Sequence, residues 1–253
     1  MIRVENVYKS YKRGGLFSLE RKPVLKGVSF QSPAGECLAI VGESGSGKST
    51  LGRFLIGIEK PDRGTVLLEG FDVFNRKTRK GAVSAVFQDY KSSINPFFTV
   101  EKAIMEPLGK DGSRQRVEEL LREVGLPSSY RQKYSHELSG GEVQRVCIAR
   151  AMASHPRFLL LDEAVSSLDV TVQLQILNLL KRLKERRGMG YVFITHDIQA
   201  AAYICDRIIF FRDGRIEETA ETGQLKNVRS DYARKLLGVL SGTAEAAAGL
   251  EQA

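Results

Sequence analysis

The chain has 253 residues, with 38 Lys and Arg against 30 Asp and Glu and a formal net charge of +8 at pH 7. Its 42% hydrophobic and 27% charged residues exclude a disordered, collagen-like or disulfide-scaffold chain. The length suits one large domain, or a core with a smaller appended lobe, and roughly three quarters of the unfolded surface is buried without a disulfide or metal staple. The longest run free of Asp, Glu, Lys and Arg, Val170 to Leu180, falls well short of the ~20 apolar residues of a membrane-spanning helix. The start, Met1-Ile2-Arg3-Val4-Glu5-Asn6, carries a carboxylate where a signal peptide needs an apolar run. Cys37, Cys147 and Cys205 form no CxxC pair. They read as small core residues of a reduced cytosolic protein, with no iron–sulfur cluster or zinc expected.

In chain order, strands are expected at Ile2 to Tyr8 and Val24 to Gln31, with a long loop between them. That loop carries Lys9, Lys12, Arg13, Arg21, Lys22 and Lys26 against Glu20 alone. Its charge reads as a solvated surface, or as attraction to phosphates or anionic lipid heads. No recognition helix or zinc spacing accompanies it, so no nucleic-acid partner is expected. Glu36 to Val41 reads as a buried strand, followed by a glycine-rich turn and a helix. A strand pair follows around Gly64 to Gly70, and another strand at Ala82 to Phe87. From about 97 to 153 the period becomes helical, with helices at Arg116 to Val124 and Glu142 to Met152. Strands return at Phe158 to Leu161, Tyr191 to Thr195 and Arg207 to Phe211, with an amphipathic helix from Val170 to Arg186. Apolar strands alternating with helices predict an α/β fold with a mainly parallel, covered sheet. Residues 97–153 are expected to form an inserted helical lobe, and the Ala- and Gly-rich residues 241–253 a frayed tail.

Three stretches carry chemistry. Gly42-Glu43-Ser44-Gly45-Ser46-Gly47-Lys48-Ser49, followed by Thr50, matches GxxxxGK[ST]. Its glycines let backbone N–H groups surround phosphate oxygens, and the following helix turns the positive end of its dipole to the same anion. Lys48 neutralises the β- and γ-phosphates of ATP, and Ser49 offers a hydroxyl to Mg²⁺. Phe158-Leu159-Leu160-Leu161-Asp162-Glu163 is an apolar run ending in two carboxylates. At a strand's end, Asp162 holds Mg²⁺ and Glu163 is free to polarise the attacking water. Leu138-Ser139-Gly140-Gly141-Glu142 opens a helix. Ser139 and Glu142 fit a capping box, but that leaves the paired glycines unexplained, and together they form a second anion site. One ATP hardly needs two phosphate-binding elements.

At this point the resemblance is specific. Leu138–Glu142 followed by Val143-Gln144-Arg145 resembles the signature of the ABC-type ATPases, and the family's other elements occur in its order. Tyr11, with Tyr8 close by as an alternative, resembles the aromatic that stacks on adenine. Gln88 resembles the Q-loop glutamine that meets Mg²⁺ and the attacking water. Ser166-Ser167-Leu168-Asp169 resembles the D-loop, and His196 the switch histidine that contacts the γ-phosphate. The resemblance covers roughly residues 1 to 240. It implies a P-loop NTPase (RecA-like) core with an antiparallel β subdomain and the inserted helical subdomain. It also implies that two such chains pack head to tail. Ser139, Gly140, Gly141 and Glu142 would then serve the partner's ATP, which resolves the puzzle of two anion sites.

Phe87-Gln88-Asp89-Tyr90-Lys91-Ser92-Ser93-Ile94-Asn95-Pro96 is similar to the extended Q-loop of the peptide/nickel import family. Ala164, where many relatives carry proline, resembles its nickel branch. Arg229-Ser230-Asp231-Tyr232-Ala233 departs from the oligopeptide pattern. The resemblance therefore implies a bacterial import ATPase, for nickel or a related metal, with dipeptide, oligopeptide and metallophore importers as alternatives. Its implied partners are two membrane permeases, a second ATPase chain (paralogue or self) and, indirectly, an extracytoplasmic solute-binding protein. Its implied place is peripheral, on the cytoplasmic face of the inner membrane. A soluble ABC ATPase of DNA repair or translation is the rival. Those carry two cassettes or a long coiled-coil insert, and this chain has neither. Nickel itself is not expected to bind here, for want of a His/Cys cluster.

Overall fold

The computed structural model of the chain describes residues 1–12, 20–89, 93–109 and 112–238. Part of the basic loop, including Arg13, part of the Q-loop run, including Ser92, and the expected tail at 241–253 lie outside the described residues.

Two sheets organise the chain. The first is antiparallel, in the order β2-β1-β4-β5: β1 is Ile2–Lys12, β2 Arg21–Ser32, β4 Arg63–Leu68 and β5 Phe71–Asp72. The second has the order β10-β9-β3-β8-β7-β6, with β3 Cys37–Val41, β6 Val83–Phe87, β7 Phe158–Asp162, β8 Gly190–Thr195, β9 Arg207–Arg212 and β10 Arg215–Glu221. All neighbours in it are parallel except β9 with β10. The central strands are apolar on both faces. Cys37, Ala39 and Val41 of β3 point into one core cluster, and Leu38 and Ile40 into the other. This is how a covered parallel sheet is built.

Around the sheet lie α1 (Lys48–Leu55), a short α2 (Arg76–Arg79), α3 (Val100–Met105), α4 (Arg114–Glu123), α5 (Gly140–Met152), α6 (Val170–Arg187), α7 (Ile198–Ile204) and a last helix over 231–238. Their starts follow local chemistry. Thr99, Ser113, Ser139, Asp169 and Asp197 each accept a first-turn backbone N–H. α6 stops at Gly188, at φ 62°. Within the expected helical insert, α3 and α4 pack on α5, and α5 meets the sheet at β6 and packs on the helix α6. Val100, Ile104, Val117 and Leu120 share a cluster with Leu159 and Leu161, so the insert and one face of the sheet have a common core.

One expectation is corrected. Residues 9–12 and 21–23 are strand, not loop, so both expected strands are longer than their apolar runs. Lys9 pairs with Glu59 at 3.0 Å, the Ser10 N–H donates to Asp62 at 2.8 Å and Arg21 reaches the same carboxylate at 3.2 Å. These partners lie about forty to fifty residues away in sequence, and they hold polar residues in an extended pair. Cys37 and Cys205, distant in sequence, meet: both are buried and free, with their Sγ atoms 2.8 Å apart. Among the described residues no helix is long and apolar enough to cross a membrane.

Candidate nucleotide site

Strand register assembles the site. Phe87 lies opposite Asp162 and Asp162 opposite Ile194, while Val41 lies opposite Thr195. The carboxyl ends of β3, β6, β7 and β8 therefore stop along one edge, where open α/β sheets bind ligands. The residues that follow, Gly42, Gln88, Glu163 and His196, are delivered to that edge. A cleft of about 600 Å³ opens there, lined by Val24, Ser44, Gly45, Gly47, Lys48, Ser49, Thr50, Gln88, Glu163 and His196.

The loop from Gly42 to Gly47 fits tightly. A Cβ on Gly42 would lie 1.9 Å from the Phe211 carbonyl oxygen, so no larger residue fits. Gly47 precedes α1 at φ 106°. The helix that follows presents its unpaired N–H groups to the cleft. Lys48 is 6% exposed and donates to the carbonyls of Gly42 at 2.7 Å and Glu43 at 2.8 Å. Burial lowers its pKa, while the carboxylates of Glu163, Asp162 and Glu43 pull it back up. From outside, the Glu43 N–H donates to the Tyr232 hydroxyl at 3.1 Å. Tyr232 is thus a support of the loop that the sequence does not signal. Ser46 is buried and its backbone carbonyl accepts from Gly214.

At the end of β7, the Ser49 hydroxyl donates to Asp162 Oδ1 at 3.3 Å. Burial pushes the Asp162 carboxyl up, the Ser49 hydroxyl draws it down, and the neighbouring charge of Glu163 raises it again. Glu163 has φ 51°, uncommon for a residue with a side chain, and its N–H is held by the Ile194 carbonyl at 2.9 Å. His196 Nδ1 lies 3.0 Å from Glu163 Oε1. Ser49, Asp162 and Gln88 offer hydroxyl, carboxylate and amide oxygens, a hard donor set of the kind Mg²⁺ takes.

The structure does not bring every expected residue here. Ser139, Gly140, Gly141 and Glu142 do not line the cleft. They begin α5, where the capping box forms: the Ser139 N–H donates to Glu142 Oε2 at 2.8 Å and the Glu142 N–H to Ser139 Oγ at 3.4 Å. The Tyr130 hydroxyl adds a 2.6 Å bond to Glu142, and these bonds hold that carboxyl below its ordinary pKa. Tyr11 also stands off the cleft. It lies in a strand pair opposite Lys22, with its hydroxyl donating to Glu59 at 2.7 Å and accepting from Arg53 at 3.2 Å. Tyr8 is exposed and packs beside Gly27. The wall at this end is Val24, an apolar strand residue with no signal in the sequence.

Residues 25–166 match the family model described as ABC transporter. The chain belongs to the ABC transporter ATP-binding family. Members of this family in importers bind ATP and hydrolyse it to power transport, and this chain is such an ATPase. It is 50% identical over 243 residues to the metal-staphylopine import system ATP-binding protein CntF of Staphylococcus aureus (strain Mu50), covering 94% of this chain and 98% of that protein. It is 43% identical over 224 residues to the nickel import ATP-binding protein NikE of Rhodospirillum rubrum, covering 84% and 81%. Among solved structures it is similar to the ATP-binding cassette MJ0796 in a dimeric post-hydrolysis state bound to ADP and Pi. That match has a TM-score of 0.77 and 32% identity, and covers 88% of this chain and 99% of the other. It is also similar to cbiO1 of Clostridium perfringens, part of the transporter complex cbiONQ, with a TM-score of 0.79 and 27% identity, covering 89% and 90%.

Proposed function

We propose that the chain powers uptake of a divalent metal carried by a small organic chelator, through separate permease subunits that hold it at the cytoplasmic face of the membrane. The observation that carries the ATPase half of this reading is the single cleft shared by Lys48, Ser49, Gln88, Glu163 and His196. The cargo half leans on the 50% identity to a metal-staphylopine import protein. A second reading, uptake of nickel without a chelator, is favoured by the 43% identity to a nickel import protein and by Ala164.

In this reading the loop from Gly42 to Gly47 and the start of α1, through Thr50, bind the triphosphate, and Lys48 bridges its β- and γ-groups. Ser49, Asp162 and Gln88 would hold Mg²⁺, which offsets charge on the phosphates when bound. Glu163 accepts the proton of the water that attacks the γ-phosphorus, as the bond to the ADP oxygen breaks and phosphate leaves. His196, oriented by Glu163, donates to the γ-phosphate oxygens. Ser139, Gly140, Gly141 and Glu142 act on the ATP of a second ATPase chain, because they are not among the residues that line their own cleft. The dimeric state of a related cassette supports that pairing.

Ser139→Arg tests the pairing. A bulky cation at the start of α5 is expected to lower hydrolysis by about a hundredfold or more, while ATP still binds the same chain's cleft, read by fluorescent-nucleotide titration. Loss of that binding contradicts action on the partner's nucleotide. The cargo is tested by metal accumulation in cells deprived of the chromosomal gene and complemented with the natural sequence or Lys48→Ala. Only the former is expected to restore uptake, and more strongly with a metal–chelate than with the bare ion. Equal uptake of both forms favours the second reading, and restoration by Lys48→Ala overturns transport altogether.

A further inference from the structure

Gln144 has no role in the reading above, yet it is buried with no exposed surface. It lies on α5, one turn past Gly140. Its Nε2 donates to the Ala164 carbonyl at 2.6 Å, and its Oε1 is buried without a hydrogen-bond donor among the described residues. Ala164 follows Glu163. The segment it opens is bound on all sides. The Glu163 N–H is held by Ile194, the Glu163 carbonyl accepts from Ser166 Oγ at 3.0 Å, and Ala164 and Val165 are buried.

A second contact locks the same two elements. A Cβ on Gly141 would lie 2.6 Å from Val172 Cγ1, so the start of α5 rests directly on the start of α6. The helix that carries Ser139 and Gly140 is thus joined at two points to the segment 163–172. An amide fixed at one end by a helix and at the other by a buried carbonyl transmits displacement, because the carbonyl has no water to fall back on.

We infer that Gln144 is a positioning residue that ties the signature helix to the backbone bearing Glu163, so that engagement of one nucleotide at Ser139–Gly141 bears on hydrolysis in the same chain's own cleft. This rests on the roles given above to Ser139 and Glu163. No group that touches ATP is altered by changing Gln144. A packing residue and a positioning residue therefore differ in what they do to turnover and to nucleotide affinity.

The test is Gln144→Met in the full-length chain, which keeps length and volume and removes the donor. ATP turnover is expected to fall about tenfold, with KM for ATP within about twofold of the natural protein. Hydrogen exchange is expected to rise at 163–166 while the rest of α5 keeps its protection. If the methionine variant is recovered unfolded, Gln144→Glu, which keeps the shape but replaces the donor with an acceptor, carries the same expectation. Unchanged turnover, or a loss of turnover with exchange raised along the whole of α5, overturns the inference. Glu163→Gln and Ser139→Arg run alongside separate its failure from that of the reading beneath it. If both of those abolish turnover while Gln144→Met does not, only the role of Gln144 falls.

Discussion

Glu163→Gln is expected to cut ATP turnover at least about a hundredfold, the range for removing a positioned general base, while leaving ATP affinity near that of the natural protein. The substitution exchanges one carboxylate oxygen for an amide of the same shape. The backbone at 163, at φ 51° with its N–H on Ile194, meets the same demand from either residue. His196 keeps a polar neighbour at 3.0 Å. Lys48, Ser49 and the loop carbonyls that hold Lys48 are untouched. What disappears is the acceptor for the water's proton, so bound ATP persists. A chain that binds ATP between two copies or paralogues but cannot split it should accumulate as a pair. The measurements are phosphate release and ATP-dependent elution as a dimer. Phosphate release close to the natural rate assigns the proton acceptor elsewhere.

Much of this site can be read in the sequence because its parts are local. Gly42 to Ser49 is a continuous stretch, a loop running into the start of α1, whose spacing marks a phosphate-binding turn, and Phe158 to Glu163 announces a buried strand with two charges at its end. The capping of α5 by Ser139 and Glu142 is local as well. The sequence does not reveal what depends on register or distant partners. Only pairing places Phe87, Asp162 and Thr195 at one edge, and so brings Gln88, Glu163 and His196 together.

β10, Arg215–Glu221, is hidden by its own composition: it is an edge strand of alternating exposed and half-buried residues with little apolar content. α7 is seven residues, three of them alanine, and owes its start to Asp197, which accepts the Ala200 N–H. Tyr11 is expected from its motif position to present its ring to a base; the partners of its hydroxyl, Arg53 of α1 and Glu59 beyond it, lie far away in sequence and carry no local signal. Tyr232 and Val24 border or support the cleft from segments far away in sequence, with no local pattern to mark them.

Lys48→Ala is expected to weaken ATP binding by about a hundredfold or more in Mg²⁺ buffer, because charge-assisted hydrogen bonds from a buried cation to phosphate are among the strong ones. The structure gives the lysine a second task. Its ammonium donates to the carbonyls of Gly42 and Glu43, so it also fixes the curvature of the loop whose N–H groups meet the phosphates. Truncation removes both.

The pH response has a definite sign. Burial holds the Lys48 pKa below a lysine's ordinary value of 10.5, against the pull of three carboxylates. The buried charge therefore opposes folding at neutral pH, and that penalty is relieved as pH rises through the lowered pKa. Phosphate favours the charged form, so nucleotide affinity should decline over the same alkaline interval, below 10.5, as the ammonium loses its proton. In Lys48→Ala that part of the decline should vanish. Isothermal titration across the interval measures both effects. An affinity in the alanine variant equal to that of the natural chain at neutral pH removes Lys48 from the triphosphate and, with it, the main reason to place ATP in this cleft.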